Sequence, residues 1–157
     1  MTEDKIWDIL ISEAMQVASK ERILSKVLTE FVLERKSLAD ALGWRLAARL
    51  VKNSVPESDI RELIKDAFEK DKQMLHSVEI DLLAVRERDP ACNDFLSPFM
   101  YFKGFQALCC YRVANFLWKN DRKDLAIYIQ SLIAVVYSVD IHPAAKIGNG
   151  ILLDHAT

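Results

Sequence analysis

Cysteine is scarce in this chain: Cys92, Cys109 and Cys110 are the only three in 157 residues. The number is odd and two are adjacent, so no disulfide framework is indicated. No CxxC pair and no Cys/His cluster has the spacing of metal ligands, so no metal site is expected. Free, buried thiols in a reducing cytoplasm are the expectation. A basic excess is lacking too. The 21 Lys+Arg stand against 23 Asp+Glu, a formal net charge of −2. Phosphate neutralisation supplies most of the affinity of a nucleic-acid binder, and no basic stripe is present, so that class of partner is set aside. The start, Met1-Thr2-Glu3-Asp4-Lys5, is acidic. It lacks the basic-then-apolar order of a secretory signal. The longest apolar region, Leu125 to Val139, is interrupted by Gln130 and Ser131. It falls short of the roughly 20 apolar residues that a spanning helix needs. A buried helix is expected there, and no membrane partner.

What is present is ordinary for a globular protein. The chain is 51% hydrophobic and 28% charged, enough to bury a core. Its length suits one domain, or one domain and the start of another. From residue 3 to about 138 the pattern is helical. Ile6, Ile9, Leu10 and Val17 share one face at helical spacing, and so do Ile23, Leu24, Val27, Leu28 and Phe31. Ser37 is placed to cap a helix carrying Leu38, Leu42, Leu46 and Leu50. Ser54-Val55-Pro56-Glu57 fits a capping box with the proline inside the first turn. The helix after it carries Ile60, Leu63, Ile64 and Phe68. A further helix is predicted over Gln73 to Arg86, with Leu75, Val78, Leu82 and Val85 inward.

Asp89-Pro90 breaks that run, because a residue before proline is pushed out of the α region. Ser97-Pro98 then predicts a cap with proline at the first helical position. One helix is expected from there to about Trp118, with Gly104 inside it. A glycine there costs about 1 kcal/mol relative to alanine. The close approach of another backbone would explain it. Asn120-Asp121 reads as a turn before a last helix that ends near Ser138. Phe99, Phe102, Phe105, Tyr111, Phe116 and Trp118 read as core rather than as a binding surface.

After residue 139 the character changes. Ile141, Ile147 and Leu153 stand six apart, with Gly148 after the second. A period of six is the mark of a hexapeptide β-helix, whose aliphatic residues fill a prism core. Chance spacing, or a simple strand-turn-strand tail, is an equal bet on these three residues alone.

Longer motifs carry a resemblance. Asp140-Ile141-His142-Pro143-Ala144-Ala145-Lys146-Ile147-Gly148 and Leu153-Asp154-His155-Ala156-Thr157 are similar to the segment with which bacterial serine acetyltransferases enter a left-handed parallel β-helix. Arg86-Glu87-Arg88-Asp89-Pro90-Ala91, Tyr101 to Leu108, and Tyr111-Arg112-Val113-Ala114 also resemble that family, in the right order. The likeness is strongest from about Asp81 to Thr157; over residues 1–80 it is a similar helical plan. The fold class it implies is mainly α: a multi-helix domain over 1–139, used for oligomerisation, then the start of a left-handed parallel β-helix over 140–157.

The resemblance also implies a reaction. The family moves acetyl from acetyl-CoA, a co-substrate rather than a cofactor, to the hydroxyl of L-serine in cysteine biosynthesis. L-cysteine inhibits by occupying the serine site. The assembly implied is a homo-oligomer, a hexamer built as a dimer of trimers, with O-acetylserine sulfhydrylase as a partner. Residue by residue, His155 matches the catalytic base, a role suited to imidazole near neutral pH. Asp140 matches the carboxylate that orients it, as in a Ser-His-Asp triad. Asp89 and Asp154 match carboxylates that hold the substrate ammonium. His142 has no chemical role here, and a structural hydrogen bond is expected of it.

Each assignment has a plainer competitor. His155 could be an exposed chain-end histidine. Asp140 could cap a helix or turn, Asp89 could serve as the turn residue before Pro90, and Asp154 could be a solvated corner. Three aliphatics begin a repeat that needs about three coils for stability, so the sequence reads as cut. The later coils, the acetyl-CoA site, the basic and imidazole residues from a neighbouring subunit and the sulfhydrylase-docking tail are not among these 157 residues. Residues 1–157 alone are therefore expected to be inactive. A reading of another class is a helical oligomerisation module without catalysis.

Overall fold

The computed structural model describes residues 3–51 and 54–157, with side chains from Lys5 onward. Met1 and Thr2 of the acidic start lie outside the described residues. The described residues form α1 (Glu3–Lys20), α2 (Arg22–Leu28), a π-helical turn (Thr29–Leu33), α3 (Leu38–Leu50), α4 (Glu57–Lys70), α5 (Lys72–Arg88), α6 (Leu96–Tyr101), α7 (Lys103–Lys119) and α8 (Lys123–Tyr137). No strand is present among them.

Local chemistry explains most of the boundaries. Ser37 is extended, and its Oγ accepts from the Asp40 N–H at 3.1 Å, the expected cap of α3. Asp71 caps α5 in the same way, accepting from the Met74 N–H at 2.9 Å. At α4 the sequence expectation is corrected. Pro56 is itself the cap residue, and no side-chain cap bond forms, so the Ser54 capping box is not built. The expected single helix from Pro98 to Trp118 is also corrected. It breaks at Phe102, which is extended, into α6 and α7. The start of α6 is held from a distance: Glu13 of α1 accepts from the Phe95 and Leu96 N–H groups, each at 2.9 Å. Burial pushes the Glu13 carboxyl above its usual range, against the pull of those two N–H groups.

The layers follow from these helices. α3 lies along α4, α7 along α8, and α4 and α5 both pack on α7. Gly43 lets α3 approach α4 closely, since a Cβ there would stand 2.9 Å from the Arg61 carbonyl oxygen. Trp44 beside it lies between the guanidinium groups of Arg35 and Arg61, at 3.9 and 3.5 Å from the ring centre. One core runs through the molecule, from Ile6 and Leu10 through Leu42, Leu46 and Phe68 to Phe99, Cys110 and Ile133. Phe99, Phe105 and Tyr111 are buried, and Phe102, Phe116 and Trp118 pack against the core, as expected. The α2 face is not as expected. Ile23 is 86% exposed and Val27 is exposed, while Leu28 and Val32 are fully buried. The π turn carries an extra residue, and the buried ridge passes to Leu28 before it and Val32 within it.

The expected start of a β-helix is the main correction. Residues 139–157 form turns and irregular segments only. They lie back along α7 in the reverse direction. The Asn115 amide donates to the Pro143 carbonyl at 2.7 Å, and Lys103 Nζ donates to Thr157 Oγ1. From 115 to 103 a helix spans about 18 Å. Residues 143–157 cover that distance at about 1.3 Å each, against about 3.3 Å in a strand. A coil of a β-helix pairs its backbone with neighbouring coils; here helix side chains pair with it instead.

All three thiols are buried, and burial pushes each one upward from its ordinary value. Ellman's reagent should therefore label none of them in the native chain and all of them in guanidinium chloride. A thiol that reacts at once in the folded protein would contradict this packing.

Candidate functional site

Three elements build the site. The end of α5 delivers Asp89, which closes the helix through its own N–H to the Val85 carbonyl at 2.9 Å. One Asp89 oxygen, Oδ1, accepts from the Ala91 N–H at 2.9 Å. Asp89 thus fills the local turn role expected before Pro90, and its second oxygen is left for another partner. The start of α7 delivers Lys103 and Gly104. Its cap, Phe102, offers no side-chain bond. Residues 152–155 pass in front of both.

Gly104 is what allows that passage. A Cβ at this position would stand 1.8 Å from the Leu153 carbonyl oxygen. The close backbone approach expected of this glycine is present, and the approaching backbone is the segment that carries the expected site residues.

Asp89, Asp154 and His155 line one cavity of about 180 Å³ together with Lys103, Gly104 and Phe102. His155 Nε2 lies 3.5 Å from Asp154 Oδ1, and their side chains are 88% and 61% exposed. His155 and Ala156 both have left-handed backbones, with φ of 52° and 67°. That region is uncommon for residues other than glycine. Two tight bonds hold it: the Ala156 N–H to the Asp154 carbonyl at 2.6 Å, and the Thr157 N–H to the His155 carbonyl at 2.9 Å.

Asp140 is not among the residues lining this cavity. It is exposed, and its Oδ1 accepts from Gln130 Nε2 at 2.8 Å. The neighbour of His155 here is Asp154. His142 makes the structural bond expected of it: its Nδ1 accepts from the Ala144 N–H at 3.1 Å, and its ring stands edge-on to Trp118 at 4.9 Å. A larger cavity of about 360 Å³, between α5, α7 and Ile147, is lined by none of Asp89, Asp140, Asp154 and His155. Among the described residues, no group of three or more His, Cys, Asp and Glu side chains could hold a metal ion.

Sequence reasoning missed the groups that hold the segment in place. Asp81 has no exposure at all, and Arg112 is 6% exposed. Arg112 Nε and Nη2 donate to Asp81 Oδ2 at 2.9 and 2.6 Å. The Ile151 N–H donates to Asp81 Oδ1 at 3.0 Å. Burial pushes the Asp81 carboxyl up from its ordinary value, opposed first by the Ile151 N–H and then by Arg112. Tyr111 donates its hydroxyl to the Ala145 carbonyl. A signal was available: Val78, Asp81, Leu82 and Val85 stand at helical spacing on one buried face, and a carboxylate there demands a partner.

Comparison with known proteins identifies the family. Residues 6–110 match the family described as serine acetyltransferase, N-terminal. The chain belongs to the serine acetyltransferase family. The serine acetyltransferase of Haemophilus influenzae is 40% identical over 157 residues, all of this chain and 58% of its own length. A solved serine acetyltransferase in complex with CoA superposes with a TM-score of 0.95 at 38% identity, over 98% of this chain and 65% of that one. Soybean serine acetyltransferase complexed with serine gives 0.95 at 39% identity, over 99% of this chain and 64% of its own. The chain thus spans under two thirds of each of these family members. No described helix is long and apolar enough to cross a membrane.

Gly104→Ala should displace residues 153–157 without unfolding the helices. Carboxypeptidase release of these residues should rise roughly tenfold or more, with an unchanged far-UV circular dichroism spectrum. Unchanged release would show that the segment does not depend on this close approach.

Proposed function

We propose that the protein is a serine O-acetyltransferase, moving acetyl from acetyl-CoA to the hydroxyl of L-serine, and that residues 1–157 supply one wall of its amino acid site. The observation that carries this reading is the cavity where Asp89, Asp154 and His155 meet. Asp89 and Asp154 accept from the substrate ammonium. His155 takes the hydroxyl proton. The serine oxygen then attacks the thioester carbonyl, the C–S bond breaks, and the proton passes to the leaving sulfur. The products are O-acetylserine and CoA. Asp140 keeps its proposed role of orienting His155 and steadying the imidazolium. In this structure Asp154 stands beside His155, at 3.5 Å. L-cysteine fits the same place as an inhibitor. Residues 140–157 then belong to the catalytic unit, and residues 1–139 to assembly. We place the enzyme in the cytoplasm, as a dimer of trimers serving cysteine synthesis. O-acetylserine sulfhydrylase is its proposed partner, through residues other than these 157.

A second reading is favoured by one observation. Met15 and Ile23, on α1 and α2, are 59% and 86% exposed. Such apolar side chains suit contact with a second copy, and on this reading residues 1–157 are a helical oligomerisation module. Light scattering on a size-exclusion column tests it: a dimer supports the module, and a clean monomer rejects it.

The enzymatic reading is tested in a chimera that continues residues 1–157 with the remaining residues of the H. influenzae relative. Serine-dependent thiol release from acetyl-CoA is the expected outcome. His155→Ala should lower it by about 10²–10⁴-fold. With His155 so exposed, residues 1–157 alone should show no release above background. An active His155→Ala chimera would remove the histidine from the mechanism.

A further inference from the structure

Two helices reach the same four residues of the site-bearing segment. From α5, Asp81 Oδ1 accepts from the Ile151 N–H at 3.0 Å, and Arg88 Nη1 donates to the Gly150 carbonyl at 2.7 Å. From α7, Arg112 Nη2 donates to the Gly148 carbonyl at 2.9 Å while the same guanidinium holds Asp81. All three contacts are made to backbone atoms. They set the position of the segment regardless of its side chains. Gly150 lies between them with φ of 71°, a conformation that L side chains rarely adopt.

We infer that Asp81, Arg88 and Arg112 form a clamp that sets the distance between Asp89 and the Asp154-His155 pair. None of the three lines that cavity. They are positioning residues, not catalytic ones. Arg88 is adjacent to Asp89, so the end of one helix both grips the segment and supplies the opposite wall. The residue that follows the clamp, Leu152, is the first of the segment to line the cavity. The proposal rests on the reading that this cavity takes the amino acid substrate.

A purely stabilising role fits the bonds less well. A buried ion pair is often replaceable by apolar residues without loss of stability. Here the pair's hydrogen bonds to other groups both go to the segment: Asp81 Oδ1 to Ile151, and Arg112 Nη2 to Gly148. Arg88 is exposed, and its hydrogen bond is to Gly150. Such a residue adds little to the core and much to the position of one loop.

The test uses Arg88→Met, which leaves the core intact, and Arg112→Lys, which keeps the charge but loses the fork that serves Asp81 and Gly148 together. Arg86→Met is the control, since Arg86 stacks on Phe95 instead. In residues 1–157, amide exchange at Ile151 should speed up about tenfold in both clamp variants and stay unchanged in the control. In the chimera, kcat/KM for serine should fall about tenfold, with the KM for acetyl-CoA and the melting temperature of Arg88→Met unchanged. Unaltered exchange at Ile151 overturns the clamp. A fall in every kinetic constant together with the melting temperature of Arg88→Met overturns the positioning role. A wild-type chimera that does not acetylate serine overturns the enzymatic reading instead, and the exchange measurement still decides the clamp.

Discussion

A carboxylate with no exposure faces a guanidinium at 2.6 Å in the middle of this molecule. Isolated, either charge would be prohibitively expensive there; together they neutralise each other. Removing one partner of such a pair costs about 3–5 kcal/mol, mainly because the other is left unpaired. The Asp81–Arg112 pair joins α5 to α7 and attaches residues 148–151 to both. The end of α5, the start of α7 and the segment before Thr157 all take their relative places from it. The cavity holding Asp89, Asp154 and His155 is the space those three elements leave between them.

Most of the helical body was legible in the sequence, because capping and periodicity are local. The Ser37 cap and the buried faces of α3, α4 and α5 are where the pattern put them. The misreadings around α6 and α7 are places where side chains outside the local turn intervene. Phe102 breaks a helix that local propensity would have continued, while Gln106 Nε2 takes up the Phe99 and Met100 carbonyls, each at 2.9 Å. Glu13 supplies the start of α6 from more than 80 residues away. No window of sequence contains both partners of such a bond.

The site divides in the same way. Gly104 announced a backbone neighbour, and the resemblance placed Asp89, Asp154 and His155 together. Asp140 beside Gln130 was not legible, because its position depends on how residues 139–157 fold. The six-residue period is not expressed as strands here: N–H and C=O groups between residues 143 and 151 take partners from α5 and α7. The buried clamp was half legible: a carboxylate on an apolar stripe was visible at Asp81, but not what it would hold.

The reversed course of residues 143–157 along α7 has a mechanical consequence. Force drawing Thr157 away from the body loads the attachments one after another, as in peeling tape rather than shearing a lap joint. Lys103 yields first, then the Gly104 contact, and only then the Asp81–Arg112 anchor, with Tyr111 and Asn115 behind it. Resistance at any moment is that of the contact at the peeling front. The segment therefore has one natural resting point, detached up to Leu152 and fastened from Ile151 back, in which the histidine swings free while the helices keep their grip.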